Sequence, residues 1–370
     1  MGSFTKLGLR KEILDVLASL KFKESLAVQD AIIPVAMSGK SLVFTSRTGS
    51  GKTLAYLLGY INKINKKQGL QMLVIVPTRE LCIQVGKEIN SVCEPLDIKV
   101  GSLYGGRDTH GDYRTTNRRN QIIVGTPGRL IDHINAKTVR VGDVRCIVYD
   151  ESDQMFDTGF LDDCVYLRQR VNINAQVILS SATITKKVEM FISEMMEEHE
   201  LMHIGELIPK NIVQEKLYCD ILEKEALIVK FFQKKKFNRA IVFCNTILRV
   251  CVITKALSEH FHAKMLTGSL DQNQRQNTLN LFKDGKIRIL VTTDVAARGL
   301  QIEAVDIIVN YDAPTRYEFY VHRIGRTGRR DKPGYAMSLV CKEDEKRFEE
   351  TEKKYDLYVA AVTKDFERIE

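Results

Sequence analysis

The segment 40–53, KSLVFTSRTGSGKT, constrains this chain more than any other. Leu42-Val43-Phe44 reads as a short buried strand, a loop follows at Gly49-Ser50-Gly51, and Lys52-Thr53 opens the helix-forming run Leu54 to Leu58. Strand, glycine loop, Lys-Thr and helix, in that order, suit phosphate binding. Glycine lets backbone N–H groups approach an anion, and the helix N-terminus adds partial positive charge. Lys52 adds a full charge, and the Thr53 hydroxyl can ligate Mg²⁺. The strict eight-residue phosphate-loop pattern asks for glycine at position 46, where this chain has Ser46. Glycine is kept where the backbone comes closest to phosphate. An ordinary glycine turn between strand and helix is the competing reading of this stretch alone.

The 370 residues suffice for two domains, each with its own core. With 44% hydrophobic and 28% charged residues, the composition is that of a soluble globular protein. The net charge of +8 permits a nucleic-acid partner; a solvated basic face would give the same number. None of the 8 cysteines forms C-x-x-C. Most lie in apolar runs, as reduced core thiols of an intracellular protein would. No apolar run reaches membrane-spanning length and the N-terminus shows no signal-peptide core, so no membrane partner and a cytoplasmic or nuclear location are expected.

Along the first half, apolar strand-like runs alternate with helical spacing: 42–44, 72–76, 98–103, 121–125, 145–149, 176–179 and 201–204. Alternation of this kind argues for an α/β fold, a parallel sheet covered by helices on both faces. Several runs end in polar turns with an arginine: Thr78-Arg79, Gly105-Gly106-Arg107 and Thr126-Pro127-Gly128-Arg129. Strand C-termini are where open parallel sheets bind ligands, and Thr hydroxyls, backbone N–H groups and Arg suit nucleic-acid phosphates. Taken singly, each is equally an ordinary turn with a solvent-facing arginine.

The run RCIVYDESD ends in Asp150-Glu151. One carboxylate at a strand end can hold Mg²⁺ while its neighbour orients an attacking water. Ser180, Ser181 and Thr183 follow another strand, where they could bond those carboxylates or cap the next helix. Upstream, Gln29 could read a purine edge with its amide, and an aromatic such as Phe22 could stack on the base. The second half repeats the alternation, with strands at 216–220, 240–244, 263–266, 287–292, 305–311 and 335–341, and has no phosphate loop. It carries two basic clusters, AARG at 296–299 and HRIGRTGRR at 322–330. Arg326 and Arg329 are three apart and could share a face toward one triphosphate.

The ordered set SRTGSGKT, PTREL, GG, TPGR, DESD, SAT, IVFCNT, QNQR, VTTDVAARG and HRIGRTGR resembles the DEAD-box RNA helicases of helicase superfamily 2, over nearly the whole chain. The resemblance implies two tandem RecA-like domains, 1–205 and 213–370, joined by a linker at 206–212. It implies that they close on ATP with Mg²⁺ and on single-stranded RNA, as a monomeric core. By motif position it puts Phe22 and Gln29 on adenine, with Phe4 as the upstream aromatic. Thr48, Gly49, Ser50, Gly51, Lys52 and Thr53 fall on phosphate and Mg²⁺, and Asp294 and Gln301 on the nucleotide. Asp150 would hold the metal through water and Glu151 would polarise the nucleophilic water. Arg326 and Arg329 would be arginine fingers, with His322 bridging the two sites. Thr78, Arg79, Gly106, Thr126, Arg129, Thr246, Gly268, Gln272 and Thr292 would line RNA or support that surface, and Ser181 and Thr183 would couple hydrolysis to unwinding.

Four departures stand out. Ser152 replaces the alanine of the name-giving tetrapeptide, Ser46 an alanine, Ser25-Leu26 a Pro-Thr pair, and Gln301 an aspartate that contacts ribose. The expected activity is ATP-dependent unwinding of short RNA duplexes, with hydrolysis to ADP and phosphate. An ATP-gated RNA clamp with weak unwinding is the alternative that the departures motivate, and a DNA translocase fits the motif wording less well.

Overall fold

The computed structural model describes residues 2–47, 49–106, 112, 115–116, 119–205, 208–297, 305–328 and 332–369, without the side chain of Gln272. Thr48, Gln301 and Arg329, all expected at the nucleotide, lie outside the described residues, as does the Gln272 side chain. The chain divides into two compact units, Met1–Glu206 and Leu207–Glu370.

Each unit is built on a seven-stranded parallel sheet. The first contains β1 (Leu42–Thr45), β2 (Met72–Ile75), β3 (Val100–Leu103), β4 (Ile122–Gly125), β5 (Cys146–Tyr149), β6 (Gln176–Ser181) and β7 (Glu200–His203). Their order across the sheet is β3-β4-β2-β5-β6-β1-β7. The second contains β8 (Ile212–Tyr218), β9 (Ala240–Phe243), β10 (Ala263–Leu266), β11 (Ile289–Thr292), β12 (Ile307–Asn310), β13 (Gly334–Val340) and β14 (Ala360–Ala361). Its order is β10-β11-β9-β12-β13-β8-β14. Numbered from the start of each unit, the two orders are the same. The two halves share a winding that their residues do not advertise, and together they form tandem RecA-like domains.

Helices cover both faces, which explains why β1, β2, β4 and β5 are buried at every position and read as unbroken apolar runs. The helix Lys52–Ile61 is buried at all ten positions and crosses the helix Ala27–Ser38 closely. That approach depends on Gly59, where a Cβ would stand 2.3 Å from the Ala36 Cβ. Leu54, Leu57 and Leu58 lie at 2% exposure or less, each stabilising by about 1.5–3 kcal/mol relative to solvent exposure.

The sequence expectation differs in three places. Ile212, expected in the linker, opens β8, because Ile212 pairs with Gly334 and the pairing runs unbroken to Tyr218–Val340. The two-residue strand Ala360–Ala361 adds an edge too short to show as alternation. Cys251 is exposed and Cys219 half-buried, so the core-thiol reading holds for six of the eight cysteines. Among the described residues, no helix is long and apolar enough to cross a membrane.

Candidate nucleotide and nucleic-acid sites

Strand order sorts the candidate residues along one edge of the first sheet. β1, β5 and β6 end in residues 46–53, 150–153 and 180–183; β2, β3 and β4 end in 78–79, 105–106 and 126–129. The first group is phosphate loop and carboxylates, the second Thr, Gly and Arg turns.

In the phosphate loop Gly49 and Gly51 have φ of 79° and 91°, a region glycine enters without steric cost. Gly51 directly precedes the helix Lys52–Ile61, so the loop delivers its N–H groups at a helix N-terminus. Lys52 Nζ donates to the Ser46 carbonyl at 3.2 Å, folding the ammonium over the loop. The Ser46 and Ser50 hydroxyls are 2.7 Å apart, a tie that glycine at 46 could not make. Gln29 accepts the Leu26 N–H through Oε1 at 2.9 Å and donates through Nε2 to the Gly51 carbonyl at 3.3 Å. Its amide thus ties the start of its own helix to the loop. Phe22 is 40% exposed, but Phe4 is 4% exposed and packed in the core.

Asp150 is buried and heavily bonded. Oδ1 accepts from Ser180 Oγ at 2.8 Å and from the Glu151 N–H at 3.0 Å; Oδ2 accepts from the Tyr56 hydroxyl at 3.2 Å. Burial pushes its carboxyl above the ordinary range, Lys52 opposes the push and Glu151 adds to it. Glu151 sits in the left-handed region at φ 54° and its carboxylate accepts from the Gln154 side chain. Asp153 Oδ2 accepts both the N–H and the hydroxyl of Thr183, at 2.9 and 2.8 Å, and Ser181 Oγ donates to the Thr183 carbonyl at 2.7 Å. The Ser-Ala-Thr turn is therefore wired to the acidic turn. The cap of the following helix is Thr185, not Thr183.

Sequence reading missed two members of this group. Tyr56, one turn into the phosphate-loop helix, reaches Asp150, and burial drives its hydroxyl well above its usual range. Glu88, from the helix Arg79–Cys93, stands beside the Thr53 hydroxyl; burial raises its carboxyl, Thr53 opposes the rise and Asp150 adds to it. Tyr56 falls on the helical spacing and reads as core, and Glu88 lies seven residues beyond the PTREL motif. Only the packing of the two helices reveals them.

The Mg²⁺ fit rests on oxygen chemistry. Thr53 hydroxyl and Asp150 carboxylate are hard donors, and the raised Asp150 carboxyl is a buried acid short of cationic charge. Among the described residues no three His, Cys, Asp or Glu side chains gather around one point. A metal here would complete its shell with substrate oxygens and water, as Mg²⁺ does.

On the other part of the edge, Thr78 caps the helix Arg79–Cys93 by accepting the Leu81 N–H at 3.2 Å. Arg79 donates to the Gly106 carbonyl at 3.2 Å and stands 5.1 Å from the Tyr104 ring. Gly106 has φ 79° and a Cβ there would meet the Arg79 guanidinium at 3.0 Å. Thr126 precedes the helix Pro127–Asn135, accepting the Leu130 N–H with its carbonyl at 3.0 Å and making no side-chain cap. Arg129, expected to face RNA, donates through Nε to the buried Asp112 at 2.7 Å.

In the second unit, Thr246 caps the helix Ile247–Ser258 and Thr292 donates its buried hydroxyl to the Leu266 carbonyl at 2.8 Å. Thr292 thus supports the strand ends rather than lining them. Open space surrounds Gly268. Asp294, expected at the nucleotide, gives both carboxylate oxygens to Arg323, at 2.7 and 2.6 Å. Arg323 is 1% exposed and also donates to the Asp312 carbonyl at 2.7 Å and to Asn245 at 3.0 Å. It is the buried hub of the basic cluster, which its place in a run of arginines did not show. His322 is half-buried; Arg326 is 6% exposed and its carbonyl accepts the Val305 N–H at 3.1 Å.

Residues 26–191 match the DEAD/DEAH box helicase family model, and residues 223–331 match the helicase conserved C-terminal domain. The chain is 38% identical over 346 residues to the DEAD-box ATP-dependent RNA helicase CshA of Geobacillus kaustophilus, covering 92% of this chain and 74% of that one. The chain belongs to the DEAD-box ATP-dependent RNA helicases. A relative from Listeria monocytogenes, ATP-dependent RNA helicase CshA, is also 38% identical over 92% of this chain, which spans 66% of that protein's length. Among solved structures, S. cerevisiae Dbp5 bound to RNA and ADP BeF3 has a TM-score of 0.88 at 26% identity, covering 99% of this chain and 96% of that one. A DEAD box protein from Methanococcus jannaschii has a TM-score of 0.56 at 31% identity, over 98% and 99%. DEAD-box membership fits the two matched sheets, the phosphate loop and the acidic turn alike.

Proposed function

We propose that this chain hydrolyses ATP to ADP and phosphate and uses the cycle to open short RNA duplexes locally. The carrying observation is the convergence of the Lys52 ammonium, the Thr53 hydroxyl and the buried Asp150 on one strand-end edge. Thr48, Gly49, Ser50, Gly51 and Lys52 bind the phosphates, and Phe22 and Gln29 hold adenine. Thr53 and Asp150 hold Mg²⁺, which would supply charge neutralisation at the phosphate oxygens when bound. Glu151, fixed by Gln154, accepts the hydrogen bond of the attacking water. Arg326 and Arg329 stabilise charge in phosphoryl transfer, with His322 beside them; Asp294 and Gln301 act from the same unit, Asp294 by anchoring Arg323.

RNA lies along the strand-end turns, touched by Thr78, Arg79, Gly106, Thr126, Arg129, Thr246, Gly268 and Gln272, with Thr292 beneath. Contacts of this kind read the sugar-phosphate backbone, so little sequence preference is expected. Ser181 and Thr183, through Asp153, pass the state of the acidic turn to the rest of the unit. We place the reaction in a monomeric core of two domains, without a membrane partner.

RNA-stimulated phosphate release and strand displacement on a short duplex test this reading together. Lys52→Ala and Glu151→Gln are each expected to abolish both; full turnover in either refutes the site. The alternative, an ATP-gated clamp, is motivated by the Gln301 and Ser25-Leu26 departures. Tight ATP-dependent RNA binding without strand displacement would select it.

A further inference from the structure

Asp112 belongs to none of the motifs, yet it stands among the turns proposed to carry RNA. Its carboxylate is completely buried. Oδ2 accepts from Arg129 Nε at 2.7 Å and from His133 Nε2 at 2.9 Å. Arg129 and His133 are 10% and 8% exposed in their side chains. They sit four residues apart on the helix Pro127–Asn135, on one face, and so address one acceptor. His133 Nδ1 in turn pairs with the Thr138 hydroxyl at 2.8 Å, fixing the ring.

The pairing joins chain following β3 to the helix following β4. The neighbouring pair is tied in the same way, since Arg79, following β2, donates to the Gly106 carbonyl following β3. Side-chain bonds therefore link all three strand-end turns on this part of the edge. A buried guanidinium is costly to leave without its carboxylate, so Asp112 fixes where Arg129 points.

We propose that Asp112 is a positioning residue for RNA binding: it sets the Arg129 guanidinium and the first turn of the helix Pro127–Asn135 for a phosphate, acting through Arg129 and not by touching RNA. The inference rests on the RNA reading above. Preorganisation of this kind raises affinity by lowering the ordering cost at the moment of binding.

The test uses the full chain, a labelled single-stranded RNA of about ten nucleotides and a non-hydrolysable ATP analogue with Mg²⁺. Affinity is measured across a salt series for wild type, D112N, R129Q and the double variant, with melting curves alongside. D112N and R129Q are each expected to weaken RNA binding about tenfold. The double variant should be no weaker than the worse single, because both act through one guanidinium. The salt slope should fall by about 0.7, one lost single-strand phosphate contact, in each. Affinity for the analogue without RNA should not change. D112N binding RNA as tightly as wild type, at a temperature where it is folded, overturns the proposal, and so do losses that multiply in the double variant. If D112N does not fold, R129K decides: it keeps the charge without the Nε–H, so a tenfold loss supports positioning and wild-type affinity refutes it. A wild-type chain that binds no RNA with the analogue present refutes the RNA reading itself, and this proposal with it.

Discussion

The Gln29 amide donates to the Gly51 carbonyl at 3.3 Å, while its oxygen takes the Leu26 N–H at 2.9 Å. Leu26 has no hydroxyl to accept a first-turn N–H, so the reach of Gln29 back to the Leu26 N–H is the side-chain tie that fixes this helix start. Gln29→Ala should therefore lower stability by about 1 kcal/mol and raise the KM for ATP about tenfold. Urea unfolding and ATPase titration check the pair of effects; an unchanged KM would show that the loop does not need this tie.

Gly51→Ala should be more severe than its size suggests. The backbone there has φ 91°, and the new Cβ would stand 2.7 Å from Gln29 Nε2. The strain of about 1–2 kcal/mol falls on the loop itself. We expect ATP-analogue binding to be lost by fluorescence titration while the protein still melts cooperatively.

Asp150→Asn should separate stability from activity. Burial holds the native carboxyl above its unfolded value of 3.8, so the folded state keeps a proton that the unfolded state has lost. Stability from this group is greatest below the unfolded pKa and declines as pH rises toward the raised folded one. Asparagine removes the decline. The variant should melt higher than wild type at pH 8 without nucleotide, with the difference shrinking toward pH 4, and should show no ATP hydrolysis. A lower melting point at pH 8 would contradict this.

The departures differ in how legible they were. Ser152 donates to the Ser180 carbonyl at 3.1 Å in a fully buried setting, so it adds a bond where alanine would have none. Ser152→Ala should cost about 1 kcal/mol and leave ATPase within about twofold.

Arg323→Ala should unfold more than it disables. The guanidinium, itself buried, answers Asp294, and the loss leaves that half-buried carboxylate without its partner. A destabilisation of about 3–5 kcal/mol is expected in the second unit. Urea unfolding should show this as an earlier transition for that unit with the first nearly unmoved.

Alternating apolar runs showed the sheets because both faces of a parallel sheet are covered, and the phosphate loop and acidic turn showed themselves as short local patterns. Tyr56, Glu88 and Asp112 did not, because each reaches its partner across helices or strands far apart in sequence. That Phe4 packs into the core and that Thr292 sits beneath the strand ends were hidden for a related reason. Motif position names a residue, while only packing says whether its side chain faces outward. The common strand order of the halves was hidden because backbone path, unlike side-chain pattern, leaves no signature in spacing.

That common order makes Lys224 the counterpart of Lys52: each is the first residue of the helix after its unit's opening strand. Lys224 is 1% exposed, donates to the Tyr311 carbonyl at 2.8 Å, and lies 4.0 and 3.9 Å from the Asp312 and Asp344 carboxylates. One half of the molecule has thus internalised the anion that the other must fetch from solution. A duplicated architecture becomes asymmetric in appetite, and a titration should saturate at one nucleotide per chain.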